Sequence, residues 1–227
     1  WDGTSLRRVG LGPPAAAPTA VDTGSGTFSG TRYYRVRETV QSAGTTLLRS
    51  EPSAVLTKAP SGSGTGLVVT TPTTLNSNTT HWELEASVDN ANFYIIATTV
   101  IATTDVTDSV AYGTGYGITY TLSEDEGAYT RPWSARYLSA DDDRLLFAGS
   151  HENDDLASTL GWTTVTNEPG VGNDERYDTN ASPLLALDPG ENGSITGVSR
   201  VISGTLLITK HSATYQVNRS GVRTKAY

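Results

Sequence analysis

The feature that most constrains the fold is a strict two-residue alternation. In HWELEASV, Trp82, Leu84, Ala86 and Val88 fall on one side, and His81, Glu83, Glu85 and Ser87 on the other. Residues two apart share a face only in extended chain, so this stretch reads as a strand with one side in a core. The stretch from Thr31 repeats the pattern. Tyr34, Val36 and Val40 share one face; Tyr33, Arg35, Arg37 and Thr39 share the other, which reads as solvated, with cross-strand ion pairs to residues such as Glu51. SAGT at Ser42–Thr45 is a hairpin-type turn. TLLRSEPSAVLT is the return strand, with Pro52 marking an edge or a bulge.

LVVTTP, FYIIATTV and TTDVTDSV continue the series to residue 110. That makes about seven strands with turn signals every 8–12 residues, the signature of a β-sandwich plugged by Trp82. AYGTGYGITYTLSEDEGAYTRPW (111–133) is Gly- and Tyr-rich, with an acidic knot at Glu124–Glu126, and reads as a surface-lying connector. From Ser134 short strands resume: ARYLSADDDRLLFAGS, STLGWTTV, and three more with turns at Ser203-Gly204 and near His211. ENDDLASTL is the one helical candidate, of one or two turns. The expected organisation is a leading segment or linker over 1–17, a sandwich over 18–110, the connector over 111–133, and an incomplete region of propeller-blade-like hairpins over 134–227. About 95 residues would cover roughly two blades, too few to close a ring.

Composition agrees with an all-β fold. Thr accounts for 35 of 227 residues, beside 23 Gly and 10 Pro. The chain has no Cys, so a disulfide framework, a thiolate nucleophile and a Cys-based zinc site are excluded. A net charge of −8 argues against general nucleic-acid binding. Among the basic residues 13 are Arg and 3 are Lys, which suits planar pairing with carboxylates across an interface or reflects base composition. No run approaches the ~20 apolar residues of a membrane-spanning helix. The chain opens WDGTSLRRVG with no Met, so further sequence is expected on both sides.

The search for chemistry finds no strong motif. His81, His151 and His211 lack metal-ligand spacing. Asp141, Asp142 and Asp143 could seed a Ca²⁺ site, but they lack alternating ligands, and an Asp-rich turn is the plainer reading. Glu83 and Glu85 are same-face neighbours about 7 Å apart, a separation a glycosidase could use. On a solvated face nothing would raise a pKa, so they read as surface residues. Phosphate-loop and nucleophile-elbow spacings are absent. Candidates for contact are Tyr33, Arg35 and Arg37 on the strand face, and Tyr112, Tyr116, Tyr120 and Trp133 in the connector. No cofactor is implied.

YYRVRETVQSAGTTLLRSEPS resembles the last strands of fibronectin type III-like domains. THWELEASVDNANFYIIATTVIATTDVTDS resembles the middle strands of the same fold, so the two halves stand in swapped order. With its flanks, WDGTSLRRVGLGPPAAAPTA before and ARYLSADDDRLLFAGS and ITGVSRVISGTLLITKHSATYQV after, the chain resembles structural proteins of tailed bacteriophages. That resemblance implies a virion component of the tail or neck, such as a nozzle or hub, working through assembly. Its expected partners are copies of itself in a cyclic homo-oligomer and other virion proteins, and it carries no catalytic residues with it. The alternative is a glycan-binding module of a tail fibre or a secreted protein. A virion-borne enzyme is the third reading, and would need a cleft with two buried carboxylates. Tyr112, Tyr116, Tyr120 and Trp133 in an open groove would favour sugar; under a neighbouring subunit they would favour assembly.

Overall fold

The computed structural model describes residues 10–24, 28–61, 64–141, 144–163, 177–181, 184–218 and 223–226. The chain divides into two units, Trp1–Tyr129 and Thr130–Tyr227. Unit 1 contains β1 (Thr19–Asp22), β2 (Arg32–Ser42), β3 (Thr45–Arg49), β4 (Leu56–Lys58), β5 (Leu67–Thr70), β6 (His81–Ser87), β7 (Tyr94–Val100), β8 (Asp105–Asp108) and β9 (Thr121–Leu122). They form a three-stranded sheet β1-β5-β8 and a larger sheet β3-β2-β6-β7-β9, with β4 also pairing β2. Every pairing between these strands is antiparallel.

The two sheets share a core. Leu67 and Val69 of the small sheet meet Tyr34, Val36, Trp82, Leu84 and Ala86 of the large one, so unit 1 is a β-sandwich. The faces read from alternation are those that pack here. Trp82 is fully buried, and its indole Nε1 donates to the Thr103 carbonyl at 2.8 Å, which satisfies its one polar atom. The segment resembling the closing strands of a fibronectin type III-like fold, β2 to β4, precedes β5–β8 in the chain.

The serines of SEPS explain how β2 stays paired past its bulge. Ala43 (φ 50) and Gly44 (φ 80) make the two-residue turn into β3. Pro52, which has no N–H, interrupts the return strand. Either side of it, Ser50 and Ser53 each grip β2 twice. Ser50 donates its N–H to the Glu38 carbonyl and accepts the Glu38 N–H on Oγ, both at 2.9 Å. Ser53 does the same to Val36, at 2.8 and 3.1 Å. The pairing resumes at β4.

Residues 111–129 belong to unit 1. Tyr116 is part of the sandwich core and Tyr120 packs against it, while β9 adds to the large sheet beside β7. Most of 111–129 is exposed, and Tyr116, Ser123 and Ala128 are its buried points of attachment to the sandwich.

Unit 2 holds two four-stranded antiparallel meanders. One runs β10 (Tyr137–Asp141), β11 (Arg144–Ala148), β12 (Thr159–Trp162), β13 (Leu184–Ala186). The other runs β14 (Ile195–Val198), β15 (Thr205–Lys210), β16 (Thr214–Asn218), β17 (Arg223–Ala226). This up-and-down connectivity is also that of a propeller blade. Leu146, Ala148, Leu160 and Leu187 pack with Ile195, Leu206, Ile208 and Tyr215 in one core. The helical candidate is a single 3-10 turn, Asp154–Leu156, whose N-cap Asn153 side chain accepts from the Asp155 N–H. Buried Lys210 is held by the carbonyls of Leu187 and Asp188 at 2.7 and 3.0 Å.

Candidate functional site

The second face of the large sheet, expected to meet water, is buried. Arg35 and Arg37 on β2 are 6% and 0% exposed, and Glu83 and Glu85 on β6 are 2% and 0% exposed. Register explains the partners: Arg35 stands opposite Glu85, and Arg37 opposite Glu83. Glu85 takes both arginines. Its Oε2 accepts from Arg35 Nε and its Oε1 from Arg37 Nε at 2.7 Å. Glu83 Oε1 accepts from Arg49 Nη2 at 2.8 Å, reaching two strands across to β3.

Thr121–Tyr129 roofs this face. Ser123 Oγ donates to Glu85, and the Glu124 carbonyl accepts Arg37 Nη2 at 2.8 Å. Glu124 pairs with Arg49 at 3.0 Å and Glu126 with Arg35 at 3.1 Å. In the opposite sense, Glu51 accepts the backbone N–H groups of Gly127 and Tyr129. The Tyr129 ring lies 5.8 Å from the Arg37 guanidinium and 5.5 Å from that of Arg49. The expected solvent exposure of Arg35, Arg37, Glu83 and Glu85 is corrected accordingly. The expected Glu51 pairing is corrected too: its carboxylate binds the strap backbone. The missed signal is complementarity: an arginine-rich strand face and a distant SEDE run answer one another.

Electrostatics follow burial. Desolvation raises the Glu83 carboxyl above its usual range, against the opposing pull of Arg49. Its Oε2 has no hydrogen-bond partner. Glu85 is fully occupied by two guanidinium groups and a hydroxyl. Two carboxylates are thus enclosed, but each is spent on arginine within the sheet.

A second buried network closes the other side of the sandwich. The Asp108 carboxylate accepts the hydroxyls of Tyr34 (2.6 Å) and Tyr116, and the Val110 N–H at 3.0 Å. Arg32 donates to Tyr116 OH at 3.0 Å and to the Val110 carbonyl at 2.7 Å. Its guanidinium lies 4.4 Å from the Phe28 ring and 5.2 Å from that of Tyr112. Burial, then the Asp108 charge, raises both Tyr34 and Tyr116, so both hydroxyls stay protonated. Gly30 sits at φ +80 against the Tyr112 ring, where a Cβ would collide with it.

The remaining candidates scatter. Tyr33 is half-buried on β2. Tyr112 is 46% exposed over Arg32. Tyr116 and Tyr120 are taken up by the sandwich core. Trp133, in unit 2, packs edge-on against Phe147 at 4.5 Å, and its Nε1 donates to the Gly149 carbonyl at 2.6 Å. Three of the four connector aromatics therefore serve the fold of their own unit. Asp141 ends β10, while Asp142 and Asp143 lie outside the described residues. Among the described residues no group of three His, Cys, Asp or Glu could hold a metal ion. His81 contacts Thr80 Oγ1 at 2.9 Å, and His151 and His211 are exposed.

Beside the roof lies a cleft of about 280 Å³ lined by Arg35, Asn90, Asn92, Phe93, Ser123 and Glu126, among others. Its one aromatic ring offers no open face: Phe93 is 5% exposed, with the Arg35 guanidinium 4.1 Å above it. No protein-family model, curated protein or solved structure matches this chain.

Proposed function

We propose that this chain is a structural component of a tailed-phage virion, in the tail or neck, which works by holding a shape and meeting copies of itself and other virion proteins. One observation carries the assembly part of this reading. Large apolar side chains stand exposed on strands of both units: Val21 on β1 at 61%, Leu138 on β10 at 62% and Leu184 on β13 at 50%. Leu138 and Leu184 end a single cross-strand row, Leu138–Phe147–Gly161–Leu184. Between them Phe147 is 1% exposed and Gly161 is buried beneath Trp133, so the two leucines stand as the exposed apolar ends of one sheet, where a neighbouring subunit would seat. The internal bracing by Arg–Glu pairs supports the same reading, because it stiffens the sheet.

Native mass spectrometry of the purified chain tests the reading. A single closed homo-oligomer is expected, and a monomer at micromolar concentration would contradict it. The cleft beside Arg35 favours a second reading, a glycan-binding module, since its lining is mostly polar. A glycan array decides between them: saturable binding lost on Asn92→Ala supports the second, and no binding supports the first.

A further inference from the structure

We infer that Thr121–Tyr129 is an exchangeable acidic strap: it lifts from the arginine-bearing sheet face as a unit, and the same segment of a second copy can take its place. Four observations lead there. The strap is held by charge and hydrogen bonds. Glu124 and Glu126 meet Arg49 and Arg35, Ser123 meets Glu85, and Glu51 holds two strap N–H groups. Its apolar contribution is small: no residue from 121 to 129 is in the cluster around Trp82, Leu122 is 54% exposed, and the one buried apolar side chain is the methyl of Ala128. Its strand, β9, is two residues long and pairs only with β7 among the described strands. The two carboxylates that hold arginines both reach water, with Glu124 39% and Glu126 70% exposed at the side chain, so salt can compete for them.

Upstream, Tyr116 lies in the core and Tyr120 packs against it, which fixes the strap's entry; downstream, the chain leaves unit 1 at Thr130. The sheet beneath has its own core on the opposite face, through Tyr34, Val36, Trp82 and Leu84. Complementarity runs both ways, with guanidinium groups facing strap carboxylates and a sheet-side carboxylate facing strap N–H groups. The occupant that matches it residue for residue is another copy of the strap. Such exchange is a low-cost route to linking copies. The inference rests on the assembly reading for its use in the virion, yet it can fail independently.

The test combines hydrogen exchange with a peptide in trans. Glu124→Gln with Glu126→Gln removes the two strap charges that pair with arginine, keeps Asp125, and leaves the sheet side chains in place. In the full chain, exchange of amides 123–129 should rise about tenfold while those of β2 and β6 hold their protection. A labelled peptide TYTLSEDEGAYTR, matching Thr119–Arg131, should bind this variant about tenfold tighter than the wild type, whose own strap competes, and should weaken with added salt. Unchanged strap exchange, strap amides exchanging together with β2 and β6, or no peptide binding to the variant would each overturn the inference. None of these results depends on whether the whole chain forms an oligomer, so failure here leaves the native mass reading standing.

Discussion

Glu85 is the residue on which the polar face of the sandwich depends. It neutralises two buried guanidinium groups, so deleting it takes the Glu85 carboxylate from Arg37 and leaves Arg35 with the exposed Glu126. Glu85→Ala should destabilise unit 1 by about 3–5 kcal/mol, measured by urea denaturation. Replacing Arg35, Arg37 and Glu85 together with Met, Met and Leu should cost far less, because these buried charges leave together and none of the three stays without its partner. A triple variant as unstable as Glu85→Ala would show that the charges hold more than one another. Glu83 behaves differently. Burial raises its pKa in the folded state above the ordinary carboxylate value, so the native chain binds its proton more readily than the unfolded chain. This group's contribution to stability therefore rises as pH falls from the raised value towards 4.5, and is level outside that window. Glu83→Gln should be most favourable relative to wild type above the raised value, with its advantage shrinking in thermal melts as pH falls from there towards 4.5. An advantage that grows on acidification would contradict the assignment.

At the level of elements, much was legible. Trp82, Leu84, Tyr34 and Val36 could be placed in a core because period two admits one arrangement, and the turns at Ala43-Gly44 and Ser203-Gly204 each offer one glycine for positive φ, with Ala43 and Ser203 held there beside it. The roof was not legible. Alternation says that Arg35 and Glu85 face away from the core; it does not say what covers them, and the cover comes from residues about 90 positions later, Ser123 to Tyr129. A polar strand face reads as solvated unless its charge partners are sought elsewhere in the chain. The helical candidate is held to one 3-10 turn for a local reason: acidic residues suit a first turn, but the chain enters β12 at Thr159, soon after it. SEPS offers a prediction at this scale. Ser53→Ala leaves the buried Val36 N–H without its Oγ acceptor and should cost about 1–3 kcal/mol. Ser53→Thr, which keeps the hydroxyl, should recover most of the loss. Equal losses for both, measured by denaturant titration, would assign the effect to packing.

For the whole molecule, the charged groups that could have formed an open site in unit 1 instead brace its sheet, while apolar side chains remain at the surface of both units. The proposed assembly needs apolar side chains at its contacts, and exposed Leu138 and Leu184 are the place to look for one. Sedimentation velocity over a range of concentrations tests this most directly, on the wild type and on Leu138→Asp with Leu184→Asp. The account predicts a wild-type oligomer of one size that the variant reduces to monomer with an unchanged far-ultraviolet spectrum; a wild type that sediments as a monomer throughout would contradict it.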